Sequence, residues 1–212
     1  MIIGNGLIAN ALIDYRTTVF HAAGVANSGC TEKAEFDRDT ERLKSTLDTN
    51  GLLVYFGTTS DAQNRYTEHK LACEELVKAR GNYLICRLPI VAGRTENQYT
   101  LLNWIRNRLR NGEEIECWMN ARRNIIDVMD VSSIVSWLID TGSKDETINV
   151  AAPMSYPVRT IIDTMARIVD RKAIVRKVNE GTAQKIDVTR IAAAPVTWSD
   201  DYLEETLAWY YA

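Results

Sequence analysis

"LLVYFGTTSDAQNRYTEHKLACEELVKARG", residues 52–81, decides the fold. It opens on an apolar run, 52–57, of the kind that a strand buried on both faces requires. Three hydroxyl residues follow, Thr58, Thr59 and Ser60. The stretch then turns into a helix that ends at Gly81, a natural C-terminal residue. At 100° per residue, Tyr66, Lys70, Cys73 and Val77 share one narrow stripe of that helix. A stripe turned to the core does not carry a lysine unless its ammonium reaches solvent or has a task. Residues 58–60 sit where the strand ends, at the edge of a parallel sheet where ligands bind.

Working outward, strand and helix patterns alternate. Met1-Ile2-Ile3 is a short apolar strand that stops at Gly4, and residues 7–15 read as a helix. Residues 17–23 are a β-branched run before Gly24, followed by a charged helix over 36–47 that Asn50-Gly51 breaks. YLICRLPIV (83–91) is a further strand. Beyond it the spacing predicts a helix over 100–112, a strand, turn and helix over 124–140, and a strand at 147–153. A helix over 157–172, a strand at 174–178 and a closing helix after Asp201 complete the chain. Asp201 and Glu204 have capping-box spacing. Asp130 is placed as the cap of a helix starting near Val131. The alternation predicts an α/β fold with a parallel sheet and helices on both faces. Residues 1–150 form the expected core, with an excursion near 95–123, and 151–212 a small C-terminal α+β lobe.

Composition narrows the functional classes. The 212 residues are 46% hydrophobic and 25% charged, with a net charge of −3, which gives no electrostatic case for nucleic acid. No apolar run approaches the roughly 18 residues of a membrane span. Met1 already falls inside the first strand pattern, so no signal peptide is expected, and the chain reads as cytoplasmic. Four scattered cysteines, Cys30, Cys73, Cys86 and Cys117, and two histidines, His21 and His69, favour free thiols and no metal site. His21, on an apolar strand, reads as a hydrogen-bonded core residue.

Two motifs carry chemistry. Gly4-Asn5-Gly6-Leu7-Ile8-Ala9 is a G-x-G-x-x-A turn after a strand, which lets backbone approach a pyrophosphate. Tyr66-x-x-x-Lys70 offers an acid/base pair. A free phenol titrates near 10, and a neighbouring ammonium favours its ionised form. Tyr66 would then take a proton from an alcohol while hydride leaves for a nicotinamide cofactor, with a threonine hydroxyl orienting the substrate oxygen.

These segments, with FHAAG (20–24) and RLPIVAG (87–93), resemble the extended short-chain dehydrogenase/reductase family, and within it the sugar-nucleotide epimerase/dehydratase branch. The resemblance continues through Arg123-Asn-Ile-Ile-Asp-Val-Met-Asp130, INVAAP (148–153) and DVTRI (187–191). It implies a Rossmann-like fold, NAD or NADP as cofactor, a nucleotide-linked sugar as substrate and a role in surface-polysaccharide assembly. It implies Thr59 as the hydroxyl beside Tyr66 and Lys70, with Thr58 and Ser60 as neighbours. Gly4, Asn5, Gly6, Leu7, Ile8, Ala22, Ala23 and Gly24 would line the cofactor together with Tyr66 and Lys70. Pro89 and Ile90 would lie near the nicotinamide, and Arg123 would touch a substrate diphosphate. Relatives pair into homodimers through two helices per subunit, one of which would here carry Tyr66.

The sequence also departs from that family. FHAAG resembles the family's fourth strand, so two strand–helix units are missing between Tyr15 and Thr17. No acidic residue stands about 20 positions past the glycines to hold the adenosine ribose. Two functions remain open: a nucleotide-sugar epimerase, dehydratase or reductase, and a degenerate member that binds a nucleotide or sugar without turnover. Arg106, Arg108 and Arg110 wrap around their helix and read as a solvated face.

Overall fold

The computed structural model describes all residues, Met1–Ala212. In chain order the elements are β1 (Ile2–Ile3), α1 (Leu7–Ala11), β2 (Thr18–His21), α2 (Lys33–Leu47), β3 (Leu52–Thr58), α3 (Arg65–Arg80) and β4 (Tyr83–Leu88). There follow β5 (Ile90–Ala92), α4 (Leu101–Asn111), β6 (Glu114–Trp118), β7 (Arg122–Arg123), β8 (Ile125–Asp127), α5 (Val128–Asp140) and β9 (Glu146–Asn149). The remainder is β10 (Tyr156–Pro157), α6 (Val158–Ile168), β11 (Ile174–Val178), a 3₁₀ turn (Thr189–Ile191) and α7 (Tyr202–Tyr211).

The chain divides into two units. The first comprises Met1–Pro89, Val128–Val150 and Asp187–Val196, and the second Ile90–Asp127, Ala151–Ile186 and Thr197–Ala212. The first is a Rossmann-like α/β unit: a five-stranded sheet in the order β1-β2-β3-β4-β9, every pairing parallel. Successive side chains point to opposite faces. Val19, Leu53, Tyr55 and Ile85 pack with Leu43 of α2 and with Cys73 and Val77 of α3. The alternate residues, Phe20, Val54, Phe56, Leu84 and Cys86, are buried on the other face, that of α1 and α5. Ser132 of α5 donates to the carbonyl of Ala11 at 2.6 Å and ties that pair of helices together. Residues 187–196 are fastened to β9, with Arg190 bridging to Glu146 at 2.9 Å and Asn149 donating to the Asp187 carbonyl at 3.0 Å.

The second unit has two parallel strand pairs, β5 with β8 and β6 with β11, and one antiparallel pair, β10 with β7. Its core gathers Leu102, Ile105 and Leu109 of α4, Ile161, Ile162 and Met165 of α6, and Leu207 of α7. Arg108 stacks 5.2 Å from the Trp104 ring and Arg106 lies 5.8 Å from that of Tyr211, so these arginines serve their own helix and core.

Several expectations are corrected. The helix expected over 7–15 is five residues long, because Leu12 is already extended and residues 12–17 lead straight into β2. The strand expected over 83–91 is two strands in different units, since Pro89 has no N–H to continue the ladder. Helix α5 begins at Val128, which puts Asp130 in its first turn and not at its cap. Asp201 precedes α7 without a side-chain capping bond, and the helix expected to reach 172 ends at Ile168. Strand β6, in a segment where no strand is expected from the residue pattern, is the partner of β11.

Candidate active site

The C-terminal ends of β1, β2 and β3 lie side by side in the first unit because all three strands run the same way. Gly4, Ala22 to Gly24 and Thr58 therefore share one edge. Gly4 has φ +130, and a Cβ there would stand 2.5 Å from the Ala22 carbonyl oxygen, so only glycine lets the end of β1 lie against β2. Gly24 has φ +141, and a Cβ there would crowd the Asp39 carboxylate at 3.1 Å and Lys70 Nζ at 3.3 Å.

Helix α3 brings Tyr66 and Lys70 to this edge. Asn64 caps it by accepting the Thr67 N–H at 2.9 Å, and the stripe Lys70, Cys73 and Val77 is buried as the spacing predicted. Lys70 is 6% exposed, and its ammonium donates to the Phe56 carbonyl at 3.3 Å and stands 5.2 Å from the centre of the Tyr55 ring. An ammonium has three donors, so this single hydrogen bond leaves two for a ligand. The Tyr66 phenol hydrogen-bonds to Thr58 at the end of β3.

This geometry adds two details. The hydroxyl that meets Tyr66 is that of Thr58, next to Thr59. Thr59 directs both its N–H and its hydroxyl to the Leu88 carbonyl of β4, at 3.0 and 3.4 Å. Burial, the main cause, raises the Tyr66 phenol above its ordinary 10; the Thr58 hydrogen bond opposes that rise, and the Asp39 charge adds to it.

Beneath Lys70 lies a buried polar cluster that the sequence reading did not identify. Asp39 of α2 accepts from or pairs with His69 Nε2 at 2.8 Å and from the Val25 N–H at 3.3 Å, and His21 Nε2 stands 3.9 Å from its other oxygen. Cys73 Sγ lies 3.6 Å from His69 Nε2, and His21 Nδ1 meets the Thr46 hydroxyl at 3.0 Å. The Asp39 carboxyl is held far below its ordinary range: burial alone would raise it, but the nearby His21 ring, the hydrogen bond to His69 and the Lys70 charge prevail. The Asp39 hydrogen bond, followed by that of Cys73, raises His69 to about 9. Burial lowers Lys70 below its ordinary 10.5, against the pull of Asp39, Cys73 and Glu74. A signal for Asp39 was present: it shares the i, i+4 and i+7 stripe of α2 with the buried Leu43 and Thr46.

Glu74, also fully buried, pairs with Arg87 of β4 at 2.6 and 3.0 Å beside Gly57, where a Cβ would come within 2.4 Å of the carboxylate. This pair holds α3 to the sheet next to the site. Of the remaining expected residues, Pro89 ends the first unit, while Ile90 and Arg123 belong to the second. Arg123 donates to the Arg122 carbonyl at 2.9 Å.

Residues 54–151 match the model of the NAD dependent epimerase/dehydratase family. No curated protein sequence matches the chain. Among solved structures, the Bordetella bronchiseptica enzyme WbmH in complex with NAD+ superposes with a TM-score of 0.74 at 16% identity, over 92% of this chain and 74% of that one. UDP-glucuronic acid 4-epimerase from Bacillus cereus, in complex with NAD, gives 0.72 at 15% identity, over 92% and 71%. RMD from Pseudomonas aeruginosa, complexed with NADPH, gives 0.69 at 18%, over 91% and 79%. At such identities the likeness is one of fold, and it agrees with the Rossmann-like architecture described above. No helix is long and apolar enough to cross a membrane.

Proposed function

We propose that the chain is a shortened sugar-nucleotide epimerase, dehydratase or reductase that exchanges hydride with NAD or NADP, with Tyr66 as its acid/base. The observation that carries this reading is Lys70. A fully buried ammonium with one hydrogen bond is costly unless a ligand takes its remaining donors. It stands beside the bare backbone of Gly24 and one helical turn from the half-buried Tyr66. The family match over 54–151 spans both residues and most of the strand that precedes them.

The residues present fit the nicotinamide half of such a cofactor. Lys70 would give its spare N–H groups to ribose hydroxyls, and Gly24, Ala22 and Ala23 would let the ring approach backbone. Gly4, Asn5, Gly6, Leu7 and Ile8 would face its phosphate, and Pro89 would lie at the end of the ring pocket. The nicotinamide would supply a hydride acceptor and donor. Tyr66 would hold the proton. Because burial keeps its phenol neutral, Tyr66 is set to donate to a ketone oxygen as that oxygen gains charge, and to take the proton back in the reverse direction. Thr58 would pass a hydrogen bond to the phenol oxygen and Thr59 would orient the substrate oxygen. The sugar nucleotide is the substrate class named for the epimerase neighbour, and Arg123 is retained as the residue for its diphosphate. A cytoplasmic homodimer remains part of this reading.

Tyr66→Phe tests it. Turnover of UDP-sugars, followed by the NMR signals of the epimerised or reduced product, should fall about 10²- to 10⁴-fold while nucleotide affinity stays within twofold. A Phe variant with wild-type turnover would remove Tyr66 from the chemistry.

A further inference from the structure

A dinucleotide fold holds its ligand across the first strand, with one set of strands and helices on each side for each mononucleotide half. Here every strand of the sheet lies on one side of β1, which is the outermost strand and pairs only with β2. The chain passes from the end of α1 at Ala11 to the start of β2 at Thr18 through residues 12–17 alone, with no strand between them to carry a ribose-binding acid. Helix α1 itself is five residues long, too short to present a strong positive end to a pyrophosphate. The loop before it is open: Gly4, Asn5 and Gly6 are exposed, a Cβ on Gly6 would meet nothing within 4 Å, and the Asn5 carbonyl accepts from Asn10 at 3.3 Å. On the other side of β1, the polar groups able to grip a ligand are gathered: the buried Lys70 with its spare donors, the half-buried Tyr66 on Thr58, and the buried Asp39 behind both Lys70 and Gly24.

We propose that this site binds a pyridine mononucleotide, or the mononucleotide half of a dinucleotide, and makes no productive contact with adenosine. The proposal rests on the hydride-exchange reading above and names the part of the cofactor that the chain recognises. Binding energy then comes from the nicotinamide, its ribose and one phosphate. The adenosine 2′-phosphate that separates NADP from NAD lies beyond the protein, so the chain does not discriminate between them.

Calorimetric titration of the full chain with NADH, NADPH, reduced nicotinamide mononucleotide and 5′-AMP tests this. The expected result is that the first three bind with dissociation constants within about threefold of one another, while 5′-AMP in tenfold excess displaces none of them. Lys70→Met should weaken all three equally. NADH binding more than about thirtyfold tighter than the mononucleotide, or displacement by 5′-AMP, overturns the inference and leaves the hydride-exchange reading standing. A folded chain that binds none of the three at millimolar concentration overturns both.

Discussion

At the scale of single residues, the site is a problem of charge placement. The negative charge of Asp39 is shared by His69, directly bonded at 2.8 Å, and by the more distant Lys70. His69 titrates at about 9 in the fold against 6.5 unfolded. A group raised in this way contributes stability that is fully present below pH 6.5 and is lost as pH rises through about 9. The linkage amounts to at most about 3 kcal/mol, shared between the two partners. The melting temperature of the wild-type chain should therefore decline between pH 7 and pH 9.5, and that decline should flatten in His69→Gln. An equal decline in the variant would mean that other groups govern the alkaline limit. The sequence showed Tyr66 and Lys70 because their spacing is a motif. It hid Asp39 because an acid in the charged helix 36–47 looks solvated until the packing of Leu43 and Thr46 fixes which face turns inward.

At the scale of elements, β3 and α3 read cleanly because each has a strong internal signal. The apolar run makes the strand, and Gly81 marks where the helix ends. Elements without such a signal were misjudged. Helix α1 looked like nine residues of helical sequence, but Leu12 turns extended and Ile13 is 60% exposed, so no buried stripe continues the helix. Pro89 divides an otherwise continuous apolar run, because the missing donor matters more than hydrophobicity. The joint between β3 and α3 depends on Gly57. Gly57→Ala should push the Glu74 carboxylate off Arg87 and cost about 2 kcal/mol, a fall of roughly 4–8 °C in melting temperature. In a Glu74→Ala background the same change should cost almost nothing. A full penalty in that background would place the strain elsewhere.

At the scale of the whole molecule, the parallel order of the sheet was legible from the alternation of strands and helices, and the shortening from FHAAG following so soon after the glycine loop. The returns between units were not legible, because segments such as 187–196 join the first unit through specific bonds, Arg190 to Glu146 and Asn149 to Asp187, that no periodicity announces. What the molecule keeps, at the edge formed by β1, β2 and β3, is a buried cation beside a half-buried phenol. The most direct measurement is the pair of binding and melting curves for Lys70→Met with NADH. If the ammonium is retained for a ligand, the variant should bind at least tenfold more weakly, about the worth of one charge-assisted hydrogen bond, ~1.5 kcal/mol. Its melting temperature should shift by no more than a few degrees, because Asp39 keeps its direct bond to His69 when the more distant Lys70 charge is removed. Unchanged NADH affinity together with a lowered melting temperature would make Lys70 a structural residue and would contradict the account.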